Sequence, residues 1–331
     1  YMFDNKLSIS GDWYQSDINN LVGPGMAIPQ IYGGTIPKNN DGSLRTRGWE
    51  VQINWRQSLG KGLSYFVNFN LSDHRSVVTS YNNPLKLLST FYEGQVMGDI
   101  WGYKTDGLYQ SAEEVVNRDV SQSYIYSGKW TPGDVKYSDL NNDKVINDGK
   151  KTADDHGDLT VIGNSQARYK YGVYAGANYK GIDLSFTIQG VAKQVVWPGG
   201  GVQNAFWGPS QGLQGVVVLK GQEDYWRPDN TDAYFPKPYL GGAGMGQTTM
   251  NKATSDRYLQ NKAYLRLKSL QVGYSLPASL ISKIKASQLR LYFSGDNLFT
   301  SSKYMFFDPE LTGYGNYPLQ KVFSFGCNVT F

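Results

Sequence analysis

At 331 residues the chain can hold one large all-β domain or two ordinary ones, and its composition includes 38 Gly, 25 Tyr, 14 Phe and 8 Trp. The net charge of +4 is small and scattered, with no basic run, which argues against nucleic acid as a partner. No stretch approaches the roughly eighteen apolar residues that a membrane helix needs, while a mean hydropathy of −0.46 stays compatible with a membrane barrel, whose lumen residues dilute the average.

In chain order, Leu7, Ile9, Gly11 and Trp13 alternate with Ser8, Ser10, Asp12 and Tyr14, which predicts a first strand over 3–14. A Gly-, Pro- and Asn-rich stretch over about 15–45 reads as a long loop. Trp49, Val51, Ile53 and Trp55 then alternate with Glu50, Gln52, Asn54 and Arg56. After a tight turn at 58–62, Leu63, Tyr65, Val67, Phe69 and Leu71 close a hairpin. The connection over 76–162 is too long to be plain loop, and Ser111 with Glu114 is a capping box that opens a short helix running to about Arg118. Tyr169 to Ala177 and Ile182 to Ile188 form a second hairpin about Lys180-Gly181.

A loop over about 194–257 precedes a strand from Tyr258 to Leu276, whose apolar phase slips near Lys268 and Ser269 and predicts a bulge. Pro277 opens a helical turn with Leu280 and Ile284 on one face. A strand from Leu289, a loop over about 301–319 and a terminal strand carrying Phe323, Phe325, Cys327, Val329 and Phe331 on one face complete eight strands. Cys327, the lone cysteine, excludes an internal disulfide and reads as a small lipid-facing hydrophobe.

The connections alternate between long and short. With the C-terminus in the periplasm, every short turn falls on that side and every long loop outside, as bacterial barrels require. Ten-residue strands tilted about 45° span roughly 23 Å, close to the apolar band of an outer membrane. The fold class expected is therefore all-β: a transmembrane antiparallel β-barrel, multi-pass, with long extracellular loops. An open edge in hydrocarbon leaves backbone groups unpaired, so eight strands either close alone or belong to a larger barrel. The start at Tyr1, without initiator Met or signal peptide, reads as a mature or truncated chain of an exported protein.

The sequence also resembles the C-terminal part of the SusC/RagA family of TonB-dependent outer-membrane transporters of Bacteroidetes. The resemblance is carried by Asp99-Ile100-Trp101-Gly102-Tyr103, Gly107-Leu108-Tyr109-Gln110-Ser111, Gly133-Asp134-Val135-Lys136-Tyr137, Ile162-Gly163-Asn164, Tyr225-Trp226-Arg227-Pro228, Gly273-Tyr274-Ser275-Leu276-Pro277 and Gly295-Asp296-Asn297-Leu298-Phe299-Thr300. It implies the last third of a 22-stranded plugged barrel, with the plug domain lying outside this chain. It further implies a SusD-like surface lipoprotein over the outer loops, TonB acting through the plug, and oligosaccharide or peptide cargo carried across the outer membrane of a Gram-negative cell. The alternatives are a complete eight-stranded adhesin or structural barrel, and a surface enzyme built on a barrel.

Three groups of side chains invite a chemical reading. Asp139, Asn141, Asp143, Val145 and Asn147 have the alternate-residue spacing of a calcium loop, with Val145 offering its carbonyl. The sixth position is Lys144 instead of Gly and the twelfth is Lys150 instead of Glu, so Asp148, Asp154 or Asp155 would supply the missing carboxylate; the alternative is a solvated Asx-rich turn. A structural Ca²⁺ is thus the one cofactor suggested, and none is required. Trp197, Trp207, Tyr225, Trp226, Tyr234 and Tyr239 fall in one outer loop, where rings stack on sugars, grip peptides, or pack the loop's own core or a partner's surface. Glu50, Arg56, Arg168, Lys170, Asp183, Arg266, Arg290 and Asp296 are lumen candidates.

Trp13, Trp49, Trp55 and Tyr169 read as anchors at the membrane interface, and Phe331, by analogy with other barrels, as the C-terminal aromatic read by the assembly machinery. Catalysis finds no support. His74 and His156 stand in no triad or metal spacing, and Glu113-Glu114 and Asp154-Asp155 read as solvated loop carboxylates.

Overall fold

In the computed structural model, the described residues are 3–23, 38–60, 62–199, 206–207, 220–239, 250–281, 285–305, 307–311, 317 and 319–331. The strands are β1 (Leu7–Gly23), β2 (Asn39–Leu59), β3 (Leu63–Ser80), β4 (Asp99–Tyr103), β5 (Thr105–Leu108), β6 (Val135–Tyr137), β7 (Leu159–Asn164), β8 (Arg168–Tyr179), β9 (Ile182–Lys193), β10 (Val195–Val196), β11 (Gln260–Asn261), β12 (Tyr264–Ser275), β13 (Gln288–Ser302) and β14 (Val322–Thr330). Two short helices, α1 (Ala112–Asn117) and α2 (Ala278–Ile281), are added.

Eight strands form one antiparallel sheet in the order β1-β2-β3-β8-β9-β12-β13-β14, which is chain order with the outer segments passed over. The all-β, antiparallel expectation holds: this sheet is barrel wall. Among the described residues β1 and β14 each pair with one neighbour, so the sheet stays open. That geometry does not favour a complete eight-stranded barrel.

Register puts most apolar rows on one face, an exception being Ile18, Leu44 and Val78 near the outer end, which lie opposite one another on the other face. Reading across, Ile9 lies opposite Ile53, Ile53 opposite Phe69, Phe69 opposite Val173, and Val173 opposite Ile188. On the C-terminal side Leu184 faces Val272, Val272 faces Phe293, and Phe293 faces Phe325. Ile9, Val67, Leu184, Val272, Leu291 and Phe325 are all exposed, a contiguous apolar surface far larger than a soluble protein shows. The opposite face carries Ser10, Gln52, Asn70, Gly172, Gln189, Gln271, Ser294 and Ser324.

Turn chemistry fixes this register. Lys180 (φ 47°) and Gly181 (φ 84°) make the two-residue link of β8 to β9, where both central residues must be left-handed. The bulge expected at Lys268 is present, since the pairing of β12 with both β9 and β13 shifts between Leu267 and Ser269.

Three sequence expectations need adjustment. β1 runs to Gly23 and β2 starts at Asn39, so much of the 15–45 loop is strand. Its polar side chains pair across the hairpin, as Arg45 does with Asp17 at 2.6 Å, and two-sided exposure hides the alternation. The strand expected from Tyr258 begins at Tyr264, after a 3₁₀ turn over Asp256–Tyr258. In α2 it is Ile281 that is buried and Leu280 that is exposed; Ile284 lies outside the described residues.

Candidate functional site

The segments between β3 and β8 and between β9 and β12 fold into one body at the outer end of the wall. Its core is Tyr103, Leu108, Val135, Tyr137, Ile146, Phe206, Trp207, Trp226, Ala233, Phe235 and Tyr258, drawn from both segments. Several rings meet edge to face, Trp207 and Tyr258 with centroids 4.8 Å apart, while Phe235 stacks on Tyr258. Short ladders of β4 with β7 and β5 with β6 stiffen it. The α1 cap meets the first half of the expected box, Ser111 Oγ accepting from Glu114 N at 3.1 Å, while the Glu114 carboxylate reaches past Ser111 to accept from Gln110 N at 2.7 Å.

Buried Asp134 ties the two segments together. It accepts from Thr131 N, from Tyr239 Oη at 2.8 Å and from Asn251 Nδ2 at 2.9 Å. Beside it Gly133 (φ 91°) could not carry a Cβ, which would fall 2.6 Å from the Trp226 ring. Burial pushes the Asp134 carboxyl above its ordinary range. A raised folded-state value means the folded state holds the proton more tightly, so its contribution to stability falls as pH rises from the ordinary carboxylate value of about 4 through the raised one. Asp134→Asn should flatten that part of the melting-temperature profile relative to wild type. A slope identical in both proteins would rule Asp134 out as its source.

Of the six aromatics singled out, Trp207 and Trp226 are buried in this core, and Trp197, Tyr225 and Tyr234 pack against it half-buried. Tyr239 is bonded to Asp134. Tyr234 also lines an open cleft of about 490 Å³, with Asp224, Asp232, Asp256 and Arg257. Arg257 donates to the Ala233 and Tyr234 carbonyls, and Lys104 pairs with Asp256 at 3.3 Å.

The Asp/Asn loop brings its carboxylates together, with an unforeseen member. Asp139, Asp143 and Asp158 each place an oxygen within 4.8 Å of the others. Asp158 is fully buried and accepts from Leu140 N and Asn147 N. The expected donors do not join: Asp148 pairs with Lys151, Asp154 with Lys86, and Asp155 with Lys150. Lys144, in place of the usual glycine, nonetheless takes φ 67°, held by its N–H on Asp139. Donation from Val145 N and Asn141 keeps the Asp143 carboxyl below its ordinary range, hence ionised. Three hard oxygens so placed suit Ca²⁺, with Asn141, Asn147 and the Val145 carbonyl as further donors.

On the wall, several lumen candidates pair with one another or with the loops. Arg290 donates to Asp183 at 2.9 Å across β12, where Gly273 leaves room: a Cβ there would sit 2.5 Å from both partners. Arg168, by contrast, pairs with Asp73 of β3, which register places on the outward row opposite Trp49, so this charge is not turned to the lumen. Arg266, 1% exposed, binds Asp308 at 2.5 Å and Glu310, drawing the segment after β13 onto the wall. Glu50, Arg56, Lys170 and Asp296 form no ion pair among the described residues. Spacing could not reveal Asp308, Glu310 or Asp73 as partners, because each joins residues distant in sequence.

No family model matches the chain. TonB-dependent receptor P3 of Formosa agariphila is 26% identical over 363 residues, covering 100% of this chain and 33% of the receptor. The chain is homologous to TonB-dependent receptors. Receptor P26 of the same organism is 22% identical over 355 residues, again covering 100% of this chain and 33% of its own length. This chain therefore spans about a third of the curated relatives it matches, and the likeness is to their C-terminal part.

Among solved structures, the RagAB peptide transporter superposes with a TM-score of 0.70 at 20% identity, covering 99% of this chain and 34% of that one. The RagAB peptide importer in its open-open state gives 0.69 at 21% identity, covering 99% and 33%. These likenesses support the barrel fold, and TonB-dependent receptors are outer-membrane β-barrels.

Proposed function

We propose that this chain forms wall and outer loops of a SusC-like, TonB-dependent importer that works with a SusD-like surface lipoprotein. The observation that carries this reading is the sheet itself: among the described residues it has a broad apolar face, a polar face opposite, two open edges, and a folded body at one end. Such a sheet needs further strands to close in hydrocarbon, and its ordered outer body is a surface that a lipoprotein can cap. TonB would act through a plug domain outside this chain. Wall and loops perform no chemistry in this reading.

Peptide is the cargo favoured over oligosaccharide. Trp207 and Trp226 are buried and present no face to a sugar, whereas the cleft beside Tyr234 is acidic: Asp256 pairs there with Lys104 and Asp224 accepts from Asn230 and Tyr234 N, which leaves Asp232 as the carboxylate suited to an amino or guanidinium group. Deleting the gene in its host should abolish uptake of labelled basic oligopeptides and leave oligosaccharide uptake intact. Lost growth on glycans with normal peptide uptake would overturn the cargo, and failure of any lipoprotein to co-purify with the intact protein would overturn the partner.

The Asp139, Asp143 and Asp158 loop, in the same reading, takes Ca²⁺ as a structural clip. At a free concentration a hundredfold above its dissociation constant, an ion stabilises the folded state by about 2.7 kcal/mol. EDTA should therefore lower the melting temperature of the outer body, and Asp143→Asn should remove the EDTA effect; melting that ignores EDTA sinks the clip.

Phe331, exposed beyond β14, is proposed as the assembly signal. Its deletion should sharply reduce inserted barrel, scored by heat-modifiable migration, and normal insertion would remove that role.

A further inference from the structure

The outward row of side chains does not end at the tryptophans. Beyond Trp13 and Trp49 the same face continues through Gln15, Arg47 and Arg75, then Asp17, Arg45 and Val77, with the register unbroken across β1, β2 and β3. Arg45 has its own carboxylate, Asp17, at 2.6 Å, and Asp73, the other acid on this face, is taken by Arg168. Arg47 donates to neutral Gln15 at 2.8 Å, while Asp17, whose charge it also feels, is bonded directly by Arg45. Arg75 stands directly opposite Arg47, and both are exposed. Among the described residues no carboxylate lies in ion-pair range of either.

Like charges directly opposite in an antiparallel pair repel, and the pair becomes favourable when an anion bridges it. Arg47 lies two residues beyond Trp49, about 7 Å along the strand, which sets both guanidiniums just outside the aromatic belt, at headgroup level. Planar guanidinium forks match phosphate oxygens two at a time. The long bulged hairpin of β1 and β2 keeps the site on rigid strand and not on loop.

We propose that Arg47 and Arg75 bind the phosphate of an anionic lipid of the outer leaflet, holding one lipid with its chains along Trp13, Trp49 and Leu71. The proposal rests on the outward orientation of the apolar rows, which substitutions at Phe325 test separately.

The test uses the full-length protein in phosphatidylcholine nanodiscs that also contain a phosphorylated glucosamine-disaccharide lipid or its dephosphorylated counterpart. Retained lipid is counted by native mass spectrometry after confirming assembly by heat-modifiable migration. Wild type should retain the phosphorylated form about tenfold better. Combined Arg47→Gln and Arg75→Gln should erase the preference, Arg75→Lys should keep part of it, and Arg56→Gln on the opposite face should leave it intact. Equal retention of both lipids by wild type, or an undiminished preference in the double variant, overturns the site. Displacement by millimolar inorganic phosphate alone overturns the lipid as its source.

Discussion

Replacing Phe325 with lysine should destabilise the assembled barrel by about 2 to 4 kcal/mol, the cost of a cation on the lipid face near the midplane. Phe325 lies in the middle of β14, is 83% exposed, and packs its ring 5.2 Å from Phe293 on the neighbouring strand. In water an exposed phenylalanine would be nearly free to change, with effects within about 0.5 kcal/mol. In hydrocarbon the same exposure makes it one of the least replaceable positions. Ser324→Lys, one residue away on the polar face opposite Ser294, should cost well under 1 kcal/mol, within the range of an ordinary surface change. Urea midpoints of the full-length protein folded into liposomes would give both numbers. Equal costs at the two positions, or a larger one at Ser324, would reverse the assignment of the faces.

Arg266→Ala should cost about 3 kcal/mol, the lower end of the range for removing one partner of a buried ion pair. The guanidinium is almost wholly enclosed and satisfied by Asp308, Glu310 and Thr300 Oγ1 at 2.9 Å. Its acidic partners are about one-fifth exposed, and Glu310 keeps Tyr264 Oη at 2.9 Å, so the upper end is not reached. The loss should be local. The segment around 307–311 is held by Arg266 and by Lys262 Nζ on the Leu311 carbonyl, so it should become open to protease while the wall stays folded. A fall in wall stability without new cleavage near 307–311 would mean that Arg266 acts on the strands and not on the strap. Arg266→Lys keeps the charge but loses the fork, and should recover less than half of the effect.

The wall was legible in the sequence because a two-sided solvent leaves a period of two. Ile53, Phe69, Val173 and Ile188 span 135 positions of sequence yet sit side by side, each placed by its own strand's alternation and by tight turns such as Lys180-Gly181. Where both faces meet water, as between Gln15 and Gly23, that signal vanishes and strand reads as loop. The outer body was opaque for another reason. Its core gathers Val135 and Tyr137 with Phe206 and Tyr258 in one cluster, a grouping that no local period encodes. Asp158 joined Asp139 and Asp143 through a chain reversal of the same kind, nineteen positions on in sequence. The buried Trp207 and Trp226 show the limit of reading aromatics in loops, since a ring that stacks on cargo and a ring that fills a core look alike in one dimension.

The outer body has a consequence for the order of assembly. Its two contributing segments leave the sheet at β3 and β9, and Val135 meets Asn251 Oδ1 at 2.8 Å across that divide. The β8–β9 hairpin between them, docked on β3 at one side and β12 at the other, brings the two segments within reach of one another. Protection of Tyr137 and Tyr258 from solvent exchange should therefore lag behind protection of the strands, making the body a late clock for a wall already in place.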